Sequence, residues 1–112
     1  MSEEVEKIKI EDEALQARVQ EQLETVIDPE LGIDIVNIGL VYDIELFEGG
    51  LCEIKVTLTT MGCPFGDVIE EDIKNAVSVL PEIEETQVKF IWYPVWNPSK
   101  MTRYAKIALG MF

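Results

Sequence analysis

Leu15, Val19, Leu23 and then Val26 or Ile27 recur at helical spacing, with Glu, Gln and Arg between them. This spacing predicts a first amphipathic helix. Asp12 stands where an N-cap belongs. Asp28-Pro29 closes the helix, because proline disfavours helical backbone in the residue before it. The pattern then changes period. From Gly39 to Phe47, Leu40, Tyr42, Ile44 and Leu46 fall on one face, with Asp43 and Glu45 on the other. Glu48-Gly49-Gly50 signals a hairpin turn. A second strand runs from Leu51 to about Thr59, with Cys52, Ile54, Val56 and Leu58 in phase.

Phe65, Val68, Ile69, Ile73, Ala76, Val77 and Leu80 restore the helical period, and Pro81 closes that helix. Glu85 through Tyr93 reads as a third strand, which places Val88, Phe90 and Trp92 on one face. Tyr93-Pro94-Val95-Trp96-Asn97-Pro98 is an aromatic loop. A last helix carries Met101, Ala105, Ala108 and Leu109, with Asn97 or Ser99 as its cap. The order α-β-β-α-β-α implies an α+β fold, a two-layer sandwich with a small three-stranded sheet covered by helices. Residues 1–10 are expected to form a flexible acidic arm and residues 11–112 a single domain.

Composition narrows the function. Hydrophobic residues make up 47% of the 112 positions, enough for a core. No apolar run is long enough for a membrane span, and Met1-Ser2-Glu3-Glu4 lacks a secretory h-region, so a cytoplasmic protein is expected. The net charge of −13 repels phosphate backbones and anionic membranes, and no basic cluster stands out. Neither nucleic acid nor membrane is expected as a partner. With no histidine, a Cys-His or Ser-His pair is excluded within the chain. Two cysteines are too few for a structural zinc site or a complete set of cluster ligands.

The two cysteines differ. Cys52 lies in phase with the apolar face of its strand and reads as a small core residue. Cys63 follows Gly62 and precedes Pro64, where a strand pattern gives way to a helix pattern. A thiol at a helix start meets unpaired N–H groups and the positive end of the dipole, both favouring the thiolate. The alternative is a passive helix cap, and the carboxylates of Asp67, Glu70, Glu71 and Asp72 oppose activation. Asp67, one turn on, reads either as a dipole-complementing residue or as an oxygen ligand to iron. Asp28 reads either as a turn former or as a ligand or proton acceptor near Cys63.

Four motifs then occur in order: Asp28-Pro29-Glu30-Leu31-Gly32, Asn37-Ile38-Gly39-Leu40-Val41-Tyr42, Thr57-Leu58-Thr59-Thr60-Met61-Gly62-Cys63-Pro64 and Trp92-Tyr93-Pro94-Val95-Trp96. Together, over about residues 12–112, they resemble the SufT/PaaD-like family of iron–sulfur cluster assembly domains. The resemblance implies a fold like the C-terminal domain of NifU-type scaffolds and an auxiliary role in maturing iron–sulfur proteins. It draws attention to Cys63 and Asp28, with Pro29, Glu30, Thr60, Gly62 and Pro64 as supporting motif residues. The chain carries no cysteine-rich C-terminal extension, which favours the stand-alone branch, and no nucleotide-binding loop.

The leading expectation is therefore an assembly or maturation factor, not an enzyme. Cys63 would hold a transient iron–sulfur cluster or iron, with help from Asp28 and Asp67. Scaffold or carrier proteins and client apoproteins would be its partners, and no nucleotide its cofactor. A homodimer would double the thiolate count. A metal-free adaptor is the second reading. Trp96 and Tyr93 would be its contact residues, since Trp92 falls in phase with the core while Trp96 sits in the loop. A Cys63-dependent thiol transferase is the third, weakened by the missing histidine base.

Overall fold

The computed structural model describes residues 8–59 and 64–110. In chain order the elements are β1 (Lys9–Ile10), α1 (Glu13–Leu23), α2 (Ile35–Ile38), β2 (Val41–Phe47), β3 (Leu51–Val56), α3 (Gly66–Val77), β4 (Glu85–Phe90), a 3-10 turn (Pro98–Lys100) and α4 (Arg103–Ala108). The sheet order is β1-β2-β3-β4. The first two pairings are antiparallel and β3–β4 is parallel, with α3 as the crossover.

The α+β class agrees with the periodicity, but the sheet has four strands, not three. The extra strand is Lys9–Ile10, at the end of the stretch expected as an arm, paired to Phe47 and Leu46. Two residues are too few to show an alternation. The missed α2 is also short. Asp34 caps it by accepting from the Asn37 N–H at 2.9 Å, and Gly39 ends it at φ 89°.

Alternation places Ile44 and Leu46 of β2 and Cys52, Ile54 and Val56 of β3 on the buried face. Against them lie Leu15, Val19 and Leu23 of α1 and Ile69, Ile73 and Val77 of α3. Each such side chain contributes roughly 1.5–3 kcal/mol relative to exposure. The expected Asp12 cap is present, its carboxylate accepting from the Leu15 N–H at 3.0 Å. Arg18 of α1 pairs with Glu82 beyond α3 at 2.6 Å.

The opposite face is a charged ladder. Glu45 lies 3.6 Å from both Lys9 and Lys55, and Lys89 lies 3.5 Å from Glu53. Glu53 is buried despite its polar position, because β3 is an inner strand flanked by β2 and β4.

Candidate functional site

Chain direction decides which of the candidate site residues meet. Gln16 of α1 donates to the Ile44 carbonyl at 3.3 Å, and Gln20, one turn on, lies beside Val41 and Tyr42. α1 therefore runs toward the start of β2. That end also receives the C-terminal ends of β3 and β4, where Ile91 N–H donates to Val56 O at 2.8 Å. The Asp28 loop, the entry to α3 and the aromatic loop all lie at this end of the sheet.

Asp28 is 1% exposed. Its Oδ1 accepts from the Glu30 N–H at 2.7 Å and the Leu31 N–H at 3.2 Å. Its backbone N–H donates to Ile33 O at 2.9 Å, and its carbonyl accepts from Gly32 N–H at 2.8 Å. Asp28 thus builds the turn it belongs to, as an Asx-type bond does. Pro29 and Glu30 are exposed on top of it.

Thr60, Gly62 and Cys63 lie outside the described residues. Their C-terminal neighbour Pro64 is exposed in a turn. α3 begins at Gly66, two residues later than Pro64 at its first helical position would require, and among the described residues no side chain caps it. Its leading N–H groups and dipole are left to other partners. Asp67 is exposed in the first turn, and Gly66 packs near Leu58 and Phe90. Among the described residues, no three Cys, Asp or Glu side chains gather as a metal-binding group.

The two tryptophans exchange their expected places. Trp92 is 38% exposed and stacks on Phe90, with ring centroids 6.5 Å apart, because β4 ends at Phe90 and the alternation does not extend to position 92. Trp96 is half-buried against the core, and its indole N–H donates to Ile38 O at 3.0 Å. Tyr93 is 84% exposed and Val95 67%.

Residues to which the sequence assigned no such role hold this loop down. The Thr102 hydroxyl donates to Asn37 Oδ1 at 2.7 Å, and the Thr102 N–H to Asn37 O at 2.9 Å. Tyr42 donates its hydroxyl to Pro94 O at 2.9 Å, and Lys100 Nζ lies 5.1 Å from the centroid of that ring. Partial burial pushes the Tyr42 phenol above its usual range. The only available signal was Asp34-x-x-Asn37, a capping pattern hidden in an apolar stretch. Asn97 and Thr102 cap the 3-10 turn and α4 in succession, so Asn97 caps the turn and not the last helix.

Cys52 is fully buried, and burial followed by the Glu53 charge pushes its thiol to about 12. It stays protonated at neutral pH and is a poor ligand or nucleophile. Two recesses, of about 270 and 290 Å³, open beside β1 and the β2–β3 turn. The second lies at the opposite end of the sheet from Asp28.

A model of the iron-sulfur cluster assembly protein family matches residues 16–90. The Fe-S protein maturation auxiliary factor YitW of Bacillus subtilis is 52% identical over 100 residues, covering 89% of this chain and 98% of that protein. The auxiliary factor SufT of Staphylococcus aureus is 52% identical over 86 residues, covering 77% and 98%. The crystal structure of a domain of unknown function from Bacillus anthracis superposes with a TM-score of 0.85 at 46% identity, covering 89% and 95%. The matched span runs from α1 to the end of β4 and takes in the Asp28 turn, the Cys63 junction and the sheet that brings their flanks to one end. This chain belongs to the iron–sulfur cluster assembly protein family.

Proposed function

We propose that the chain is an accessory factor in iron–sulfur cluster assembly and iron–sulfur protein maturation, and that a cluster or iron passes through it as cargo. It is not an enzyme: the relatives it matches are named as auxiliary factors. Cys63 supplies a thiolate from the entry to α3. Asp28 and Asp67 supply oxygen. Since the turn engages Oδ1 of Asp28, ligation or proton transfer there falls to Oδ2. A single thiolate leaves most cluster positions to others, so a carrier, a client or a second copy completes the set. The observation that carries this reading is the convergence, at one end of the sheet, of the Asp28 turn, the start of α3 and the aromatic loop. The protonated, buried Cys52 removes the competing thiol.

Anaerobic reconstitution with iron and sulfide of the wild type, Cys63→Ser and Cys52→Ser tests it. Absorption spectra, Mössbauer spectra and iron counting should show a cluster lost with Cys63 and kept with Serine at position 52. Equal iron in all three proteins, or none, overturns the cargo role.

The exposure of Trp92, Tyr93 and Val95 favours a second reading, an adaptor that recruits clients or carriers through this loop. Trp96 then acts as the pin that shapes the loop. On this reading Cys63→Ser supports full activity of cellular iron–sulfur enzymes and Tyr93→Ala does not.

A further inference from the structure

The net charge hides a segregation. All 22 acidic residues lie between Glu3 and Glu85, while the stretch after Glu85 carries Lys89, Lys100, Arg103 and Lys106 and no acidic residue. α4 displays part of this stretch. Ala105 faces inward and is fully buried. At 100° per residue, Lys106, Arg103, Ile107 and Tyr104 then form a continuous outward face. Tyr104 is 63% exposed and Ile107 57%.

The cations on this face also stand apart. Lys9, Arg18, Lys55, Lys74 and Lys89 all have a carboxylate within 3.6 Å. Lys100 rests over the Tyr42 ring. Among the described residues, Arg103 and Lys106 take part in no ion pair, in a protein rich in carboxylates. The helix is presented on a fixed frame, because Thr102 caps it and bonds twice to Asn37. A partner would meet this face without first ordering it.

We infer that the outward face of α4 is a docking surface for an acidic, apolar-bearing peptide segment of a partner protein. Arg103 and Lys106 receive its carboxylates, and Tyr104 and Ile107 receive an apolar side chain. Arginine and tyrosine are, with tryptophan, the residue types enriched among interface anchors. Charge complementarity selects an acidic occupant and speeds its encounter. Nucleic acid fits less well. Two unpaired cations neutralise few phosphates, the surrounding protein repels a long polyanion, and Ile107 finds no counterpart on a phosphate backbone. The surface would serve whether or not Cys63 holds iron.

The test uses the full chain, isotope-labelled for amide NMR, and a synthetic amphipathic helical peptide of glutamate, leucine and alanine. Shift changes should centre on α4 and the affinity should fall with added salt. The double variant Arg103→Glu, Lys106→Glu should bind about tenfold more weakly, for two exposed attractions turned to repulsions. Tyr104→Ala should weaken binding without altering its salt dependence. An unchanged amide spectrum away from α4 shows that each variant is folded. Equal binding by the double variant, shifts centred elsewhere, or tighter binding of single-stranded DNA or anionic vesicles overturns the inference.

Discussion

Replacing Asp28 separates its structural part from any chemical one. The carboxylate is 1% exposed and accepts two backbone N–H groups, at 2.7 and 3.2 Å. Bonds to a charged acceptor contribute more than neutral ones, and a donor left without a partner adds its own desolvation penalty. Glu30 is exposed, so water replaces its bond, whereas Leu31 is half-buried and water reaches it less readily. Asp28→Ala should therefore destabilise the protein by about 2–4 kcal/mol, lowering Tm by roughly 10 °C or more for a domain of this size. Asp28→Asn keeps an oxygen in the Oδ1 position and loses only the charge. It should cost about 1 kcal/mol. Urea unfolding followed by circular dichroism gives both values, with an unchanged m-value showing that the comparison is like for like. Equal destabilisation by Asn and Ala would mean that charge, not acceptor geometry, matters. A wild-type-like Asp28→Ala would mean that the turn does not depend on this side chain. Iron incorporation by the folded Asp28→Asn protein then reports on the chemical role alone: loss of iron without loss of stability assigns an oxygen ligand.

Trp96→Phe should cost about 1–2 kcal/mol in urea unfolding, through loss of the bond to Ile38 O, while Trp92→Phe stays within about 0.5 kcal/mol. The opposite ranking would contradict the assigned positions of the two rings. Gly39→Ala should be harsher, about 2–4 kcal/mol, because Gly39 holds φ 89° and a methyl there would collide with the Lys100 carbonyl and sit 2.8 Å from its carbon; a wild-type Tm would refute the close approach. Cys52 holds its proton more tightly in the fold, near 12 against an ordinary value of 9.0. The stabilisation this gives is fully present below pH 9 and is lost as pH rises through the folded value, at up to about 1.4 kcal/mol per pH unit. Cys52→Ala should flatten that alkaline decline, measured as urea midpoints against pH, and an unchanged decline would refute it.

The long elements were legible because their period is long enough to count. Ile69, Ile73 and Val77 form the buried face of α3 as their spacing predicts, though Phe65 and Leu80 fall outside the helix and Val68 is exposed, and Asp12 before Leu15 is a cap in its expected place. Gly49 and Gly50 both have positive φ, as the hairpin signal required. What escaped was short or decided by distant residues. α2 spans four residues, and its cap hides among isoleucines. The parity that put Trp92 in the core assumed that β4 continued past Phe90. Trp96 looked free because its partner, the Ile38 carbonyl, is 58 positions away and belongs to the backbone, which leaves no trace in side-chain patterns. For the candidate site, residue types and order were visible, but the convergence on one sheet end depends on strand direction, which no local window contains.

The same clasp between the aromatic loop and α2 has a consequence in time. Tyr42, Ile38 and Asn37 find their partners 52, 58 and 65 positions later in the chain. On a ribosome adding residues at about 5–20 per second, the first half of the protein waits several seconds for them. During that interval the Asp28 turn can form from its own neighbours, but the aromatic loop does not yet exist to close over α2. The candidate site is thus completed by residues made well after the Asp28 turn, so a nascent chain bears Cys63 before it has the surroundings proposed to use it.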